Sequence, residues 1–535
     1  MIQEILHVSS RCGGGKSRET IKELVRTLEK QQPVTDTYLF ASKTLELTKQ
    51  NYENILKTIN AFPHASIPVK RVDSTTSAGS VMQALIDLLA SEFKGIIMVT
   101  HSTLANLPAK SLRQVRLVVD EVPQELAGCL MVKHDVKDQG HSWEKFLSYT
   151  ATPDGKDTIV TLAPSVDAND VQRRINDIRQ GRDNTTTSNV ADLLECLLVD
   201  DEPVFTSKVK ADKTVERVYQ CVHYHRLKKV MGNVSFVAIL SAQLKETLFG
   251  FIAEKHLGLT IKEKDINEKT QLQKKHKNRV FITPFLKEGE WSTALRKKPA
   301  NEGLFKNGKP VNSTLSVATY AQHFAESIFG SHKFLITLNQ KEKMLESLEA
   351  KGTPRTSTAV HGMNNYSHLH HAAYLAATNP TPFDVRIFRK FAKARGLCPE
   401  ELLQAIKVER CHEAAYQCIA RISIRNEHHN PDQIHRIIVP DSDYAEYLER
   451  WFEDGCIKIL DSYSFVTKAK HEQAIAKEQR LHKLVRILRG YHKKQGNLAQ
   501  LRAAEGLKPA TYYKQLAEFD EELKRLRLLP LKQKK

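Results

Sequence analysis

A strand, a glycine-rich loop and a helix follow one another at the N-terminus, and this unit constrains the chain more than any other. "EILHV" (4–8) is a short apolar run, and "SRETIKELVRTLEKQ" (17–31) carries apolar residues at 21, 24, 25 and 28. The spacing predicts a buried strand and an amphipathic helix. "SSRCGGGK" joins them. Gly13, Gly14 and Gly15 let backbone N–H groups turn inward around an anion, and the helix start adds its dipole. Lys16 is placed to reach β- and γ-phosphates and Ser17 to ligate Mg²⁺, with Arg11 and Cys12 completing the loop. In the pattern GxxxxGK[ST] the first glycine falls on Ser10. A glycine turn with a chance GKS is the alternative reading, and a second acidic site decides between the two.

"VRLVV" followed by Asp120-Glu121 supplies that site. A carboxylate at the end of a neighbouring parallel strand can hold Mg²⁺, and the next can polarise the attacking water. The two segments resemble the Walker A and Walker B elements of superfamily 2 helicases, with "DEVP" in place of the DEAD/DEAH box. The resemblance covers roughly 5–126 and 234–440. It implies an α/β fold with two RecA-like P-loop NTPase domains built on parallel sheets, closing on ATP and Mg²⁺. Ser17 and Asp120 would hold the metal.

Further segments follow in the family's order. "TYLFASKTLEL" sets Ser42 and Lys43 at a strand end, and "GIIMVTHS" sets Thr100 at another. The resemblance implies that both tips touch a nucleic-acid backbone. "VAILSAQ" ends in Ser241, Ala242 and Gln243, similar to the motif that couples the ATP site to the cleft between lobes. The rival "SYTATPDG" (148–155) reads as a turn. Gly362 and Asn364 resemble the end of T-x-x-x-R-G-[IL]-D, where His361 replaces the arginine and Thr356 stands one residue early for the threonine. There Thr356 is an implied nucleic-acid contact, and Gly362 and Asn364 are implied coupling residues. Gln417, Arg421 and Arg425 stand four residues apart, on one face of a predicted helix. They resemble Q-x-x-x-R-x-x-R with the last arginine one residue late. An arginine here neutralises charge on the γ-phosphate, and either Arg421 or Arg425 fills that role.

The order of motifs sets the expected domains: residues 1–255 form the first lobe, with an α+β insertion at about 127–232; 256–330 are linker and the start of lobe two; 331–465 are the second lobe; and 466–535 are a basic, helical C-terminal domain. From Lys468 to Lys535 there are 18 Lys/Arg against 7 Asp/Glu, more than half of the chain's net +18. That footprint points to a polyanionic partner. Within it, Ile475, Leu481, Leu484, Leu488 and Tyr491 form an apolar stripe, and "NLAQLRAAEGLKPATYYKQLAEF" (497–519) resembles a helix-turn-helix. Its second helix would present Thr511, Tyr512, Lys514 and Gln515 to DNA.

The function expected is an ATP-dependent nucleic-acid helicase or translocase, on DNA rather than RNA, working with replication proteins. The alternatives are a DNA-binding replication initiator and a packaging-type motor without unwinding activity. The eight cysteines include no CxxC pair, which fits isolated thiols in a reducing compartment. The HLHH run at 368–371 lacks a carboxylate or a distant third ligand and is not read as a metal site. No window approaches a membrane span and no signal pattern opens the chain, so a cytoplasmic protein is expected, in a bacterial or phage-infected cell. Compact size and divergent motifs suggest a phage or mobile-element type.

Overall fold

The computed structural model describes residues 2–529 apart from positions 32, 63–65, 78, 114, 136–142, 154, 156, 181, 184–186, 200–201, 212–213, 265–271, 359–364, 427–431 and 494. The first lobe begins with strands β1 (Glu4–Ser9), β2 (Thr37–Ser42), β3 (Val69–Arg71), β4 (Gly95–Thr100) and β5 (Val115–Asp120). An insertion follows with β6 (Gly128–Asp135), β7 (Leu147–Ala151), β8 (Thr158–Leu162), β9 (Val204–Ala211) and β10 (Thr214–His223). The lobe resumes with β11 (Phe236–Ser241) and β12 (Thr260–Glu263).

The first sheet has the order β12-β1-β11-β5-β2-β4-β3, and every pairing in it is parallel. Its strands read as near-continuous apolar runs because helices cover both faces. Leu39, Ala41, Ile97, Val99, Leu117 and Val119 pack into one core. Their neighbours Tyr38, Phe40, Ile96, Met98 and Val118 pack into the core on the other side. This alternation follows from the two-residue period of a strand.

The topology fixes the site. β11 returns from the insertion to lie between β1 and β5, with Ser9 opposite Ser241 and Leu240 opposite Asp120. The glycine loop, the acid pair and the Ser241 tip therefore converge at the C-terminal edge of one parallel sheet, where α/β folds place ligands.

The insertion is an antiparallel sheet, order β6-β10-β9-β8-β7, with helices Ala168–Arg179 and Ser188–Val199 packed on it. The helix His225–Asn233 that follows belongs to the first lobe's core through Leu227, Val230 and Met231. The second lobe pairs strand Leu335–Thr337 in parallel with Arg355–Thr356 and with His371–Tyr374, and the latter in parallel with Ile434–Asp441. The α/β class expected from the sequence holds for both lobes.

Contacts divide the chain into two units. The first comprises Met1–Ile282, Ile328–Val439 and Asp443–Ile459 and holds both lobes with the insertion. The second comprises Thr283–Ser327, Pro440–Ser442 and Leu460–Lys535. Its C-terminal part runs through a long helix, Lys468–His492, then Leu498–Ala504, Pro509–Glu518 and Asp520–Arg525. Asn497 caps the second of these in a reciprocal capping box with Gln500, and Gly506, at φ +70°, makes the turn before Pro509. Leu484, Ile487 and Leu488 form the buried face with Tyr512, Phe519 and Leu523. Ile475, expected on the apolar stripe, is exposed. Among the described residues no helix is long and apolar enough to cross a membrane.

Candidate functional site

The loop after β1 has the backbone of an anion cradle. Gly13 and Gly15 have φ +75° and +86°, a region that side-chain-bearing residues avoid. A Cβ on Gly14 would lie 2.0 Å from the Ser10 hydroxyl. Ser10, standing where the pattern has glycine, is wholly buried and donates to the Gln273 carbonyl at 2.7 Å. The departure from the pattern thus ties the loop to the segment leading into lobe two. The Lys16 ammonium donates to the carbonyls of Ser10 (2.9 Å) and Arg11 (3.2 Å), at the mouth of the cradle.

Ser17 and Asp120 meet across the sheet edge, the Ser17 hydroxyl donating to Asp120 Oδ1 at 2.9 Å. Asp120 Oδ2 accepts from the Asn51 amide at 2.8 Å, and the Asp120 carbonyl lies 3.0 Å from His101 Nε2. Burial, reinforced by Glu121, raises the Asp120 pKa, against the opposing pull of Asn51, Ser17 and Lys16. Glu121 adopts φ +75°, uncommon for any residue but glycine, with its N–H on the Leu240 carbonyl at 2.8 Å. The hydroxyl and carboxylate oxygens at Ser17 and Asp120 form a hard-donor set that fits Mg²⁺.

Lys16, Ser17, Asn51, Asp120 and Glu121 line a cavity of about 410 Å³, and the far wall comes from lobe two through Gln417, Arg421 and Arg425. The three were expected on one continuous helix. Instead the chain runs as a π-helical segment Val408–Glu413, an α-helix Ala414–Ile419 and a short 3-10 turn Ser423–Arg425, with Ile422 extended between them. Gln417 and Arg421 keep their approximate spacing, and the break at Ile422 absorbs the extra residue before Arg425. Arg425 presses on the loop itself, since a Cβ at Gly13 would lie 2.7 Å from its carbonyl oxygen. Burial, Arg421 and Arg11 lower the Arg425 pKa. Such a cluster of cations suits a polyphosphate.

Several residues of this site were not singled out from the sequence. Leu47, Gln50, Asn51 and Asn54 line the cavity from one face of helix Leu45–Asn60, at spacings of three and four. That polar stripe was the available signal. The Tyr416 hydroxyl accepts from the Cys12 N–H at 2.9 Å and meets His276 Nε2 at 2.9 Å. Burial raises the Cys12 thiol pKa, which makes it a poor nucleophile inside the loop.

The residues expected to touch nucleic acid divide sharply. Ser42 is fully buried, accepting from Asn51 at 3.1 Å. Thr356 is buried and hydrogen-bonded to Thr337 across neighbouring strands at 2.9 Å. Tyr512 is 1% exposed in the C-terminal core, with Gln515 beside it. None of the four presents a surface. A hydroxyl on the strand proper points into the layer beneath it, and Tyr512 falls on the helix face that packs against Leu484 and Leu488. Lys43 lines a second cavity of about 580 Å³ with Thr44, Glu121 and Gln417. Thr100 caps helix His101–Asn106, accepting from the Thr103 N–H at 3.2 Å. Thr511 and Lys514 are exposed on helix Pro509–Glu518, together with Tyr513.

Ser241 and Ala242 line the nucleotide-sized cavity. The Ser241 hydroxyl meets His7 Nε2 at 3.0 Å, and Ala242 packs in the second lobe's core. Gln243 accepts from the Leu244 N–H through its own side chain at 2.9 Å. His361, Gly362 and Asn364 lie outside the described residues. In the HLHH run, His370 Nδ1 meets the Ser423 hydroxyl at 2.7 Å and His371 Nδ1 accepts from the Arg436 N–H at 3.1 Å.

Glu409 and Glu413 also line the second cavity, and burial pushes each carboxyl up to about 7. The Tyr447 hydroxyl donates to Glu413, while Glu121 and Glu246 oppose its ionisation and Lys16 favours it. A carboxyl whose folded pKa is raised from 4.5 holds its proton more tightly in the native state. Native stability therefore falls as pH rises through that window, and the whole penalty is present above about 7. Glu413→Gln should remove this share, on the order of 3 kcal/mol. Thermal melts at about pH 5 and about pH 8.5 check it: the variant should gain on wild type at the higher pH only.

No protein-family model and no curated protein matches the sequence. The chain is similar to several solved structures. One is XPD in its apo form, 11% identical with a TM-score of 0.47, covering 85% of this chain and 97% of that one. Another is S. cerevisiae Dbp5 bound to RNA and ADP BeF3, 9% identical with a TM-score of 0.34, covering 86% of each chain. A third is Mycobacterium smegmatis helicase Lhr bound to ssDNA and AMP-PNP, 12% identical with a TM-score of 0.31, covering 83% of this chain and 46% of that one.

Proposed function

We propose that the chain is an ATP-dependent nucleic-acid helicase or translocase of superfamily 2 type, acting on DNA in preference to RNA. One observation carries the reading: the 2.9 Å Ser17–Asp120 pair and the arginines Arg421 and Arg425 of the other lobe line the same cavity. The glycine loop and Lys16 bind the phosphates. Ser17 and Asp120 hold Mg²⁺, which when bound offsets negative charge on the phosphoryl oxygens. Glu121, held at the strand end in its left-handed conformation, orients the attacking water and takes its proton. Arg421 and Arg425 stabilise charge on the γ-phosphate from across the cleft. Because both lobes supply groups to one ligand, binding favours the closed arrangement and release of the product favours opening. Ser241 and Ala242 join the two lobes at this point, which suits them to couple that motion to a strand held elsewhere on the lobes.

The preference for DNA rests on the basic C-terminal helices, where Thr511, Tyr513 and Lys514 form the exposed face of the helix after the turn. The contacts are mainly to phosphates, so binding should weaken steeply with salt. The test is ATP hydrolysis by wild type and Lys16→Ala, alone and with single-stranded DNA, duplex DNA or RNA. Stimulation of wild type by DNA, absent in the variant, is expected. Hydrolysis that ignores every nucleic acid would remove the motor reading. A strand-displacement assay then separates unwinding from translocation on duplex.

A further inference from the structure

The cysteines that are scattered in sequence do not stay scattered in the insertion. Cys196 lies on helix Ser188–Val199, Cys221 near the end of β10, Glu202 in the loop between helix and sheet, and His225 at the start of helix His225–Asn233. A ligand atom from each of Cys196, Glu202 and His225 lies within 4.8 Å of the other two. The Cys221 thiol is a side-chain neighbour of Cys196. Both thiols are buried, at 1% and 0% exposure, and both are free.

We propose that Cys196, Cys221, His225 and Glu202 form a structural zinc site that fastens the insertion to the first lobe. Zn–S and Zn–N bonds of about 2.3 and 2.0 Å set neighbouring donors of a tetrahedral site roughly 3.3–3.8 Å apart, so the donors of Cys196, Glu202 and His225, all within 4.8 Å of one another, need only a small contraction around an ion, with Cys221 closing in as the fourth. The carboxylate ligand is already held in place. Glu202 Oε1 accepts the N–H groups of Tyr224 (2.5 Å) and His225 (2.6 Å), and Oε2 meets His225 Nδ1 at 2.8 Å. A carboxylate on one ring nitrogen of a histidine fixes the ring and directs the other nitrogen at a metal. Here that orienting carboxylate is Glu195, 3.4 Å from Nε2, which leaves Nδ1, beside Glu202 Oε2, to face the ion.

Charge and donor type select the ion. The nearby guanidiniums of Arg179 and Arg226 are already paired with Asp192 and Glu195. Two cysteine thiols at one buried point are poor hydrogen-bonding partners, and metal binding takes them as thiolates. Thiolate with imidazole favours Zn²⁺ over Mg²⁺ or Ca²⁺, which take oxygen ligands. The donors come from a helix and a strand of the insertion, a loop, and a helix of the first lobe's core. An ion would join these elements where the insertion re-enters the lobe.

The test is the zinc content of the full-length protein, purified without chelators, by inductively coupled plasma mass spectrometry. About one zinc per chain is expected. Cys221→Ser and Cys196→Ser should each lower it several-fold, and Co²⁺ exchanged into wild type should give thiolate-to-cobalt absorption that both variants lose. A wild-type protein that carries no zinc and takes up none from added ZnCl₂ overturns the proposal, even if the variants fail to fold. So does recovery of Cys196 and Cys221 as a disulfide from protein alkylated under native conditions. Neither result touches the ATPase reading, which is assayed separately.

Discussion

Asp120→Asn should lower ATP turnover by about 10²–10³-fold, the scale of losing one preorganised electrostatic group, and leave the chain at least as stable as wild type. The two effects have one cause. Asp120 is a buried carboxylate whose pKa is raised by desolvation and by Glu121. A neutral isostere escapes both penalties. It also keeps the local hydrogen bonds: its carbonyl can accept from Asn51, and its amide can donate to the Ser17 hydroxyl, which now accepts. What it cannot supply is the negative charge that, beside Ser17, suits the site to Mg²⁺. A site held for function rather than stability predicts this combination. Thermal melts and steady-state hydrolysis on the same preparations measure it. A variant that loses activity only because it unfolds would show Asp120 to be structural, and one that hydrolyses ATP normally would remove it from the site.

Much of the fold was legible because parallel sheets declare themselves. "GIIMVT" and "VRLVVD" are unbroken apolar runs with a polar residue at the tip, and in a parallel sheet all the tips gather at one edge. Knowing the tips was nearly enough to know the site. At single residues the differences concern the direction of side chains. Ser42 was read as a tip because it closes an apolar run, yet it is still inside the strand's alternation and faces down onto Asn51. Thr356 is buried for the same reason, and its partner Thr337 is invisible without the sheet order. Tyr512 and Tyr513 are adjacent in sequence on different faces of a helix, and only the packing of Leu484 and Leu488 decides which is buried.

The rest was illegible for a different reason. Asn51 belongs to a helix whose polar stripe reads as a solvated face until the sheet edge is set against it. Cys196 and Cys221 are separated by a helix end and a hairpin, and no spacing rule brings them together. The break at Ile422 has no glycine or proline to announce it, so the stretch from Gln417 to Arg425 reads as uninterrupted helix.

That break bears on the second large effect. Arg425→Ala should lower kcat by about 10³-fold with a small change in KM, and Arg421→Ala should cost less, about 10–10²-fold. The order follows from position. Arg425 sits against Gly13 through its own backbone, and its side chain is half-buried at the cavity wall. Arg421 is buried deeper, one turn from Gln417. Arg421 raises the electrostatic cost of the Arg425 charge, and Arg11 adds to it. A bound polyphosphate relieves that repulsion, and relieves it most where negative charge grows during the reaction. A residue that only anchors the ground state would raise KM and spare kcat, so the split between the two constants separates the roles. Arg425→Lys restores the charge without the planar fork and should recover only part of the loss. If Arg421→Ala proves the more damaging, the finger lies on the deeper residue and the Ile422 break serves to hold Arg425 against the loop. If neither lowers kcat, the two lobes do not share one catalytic site.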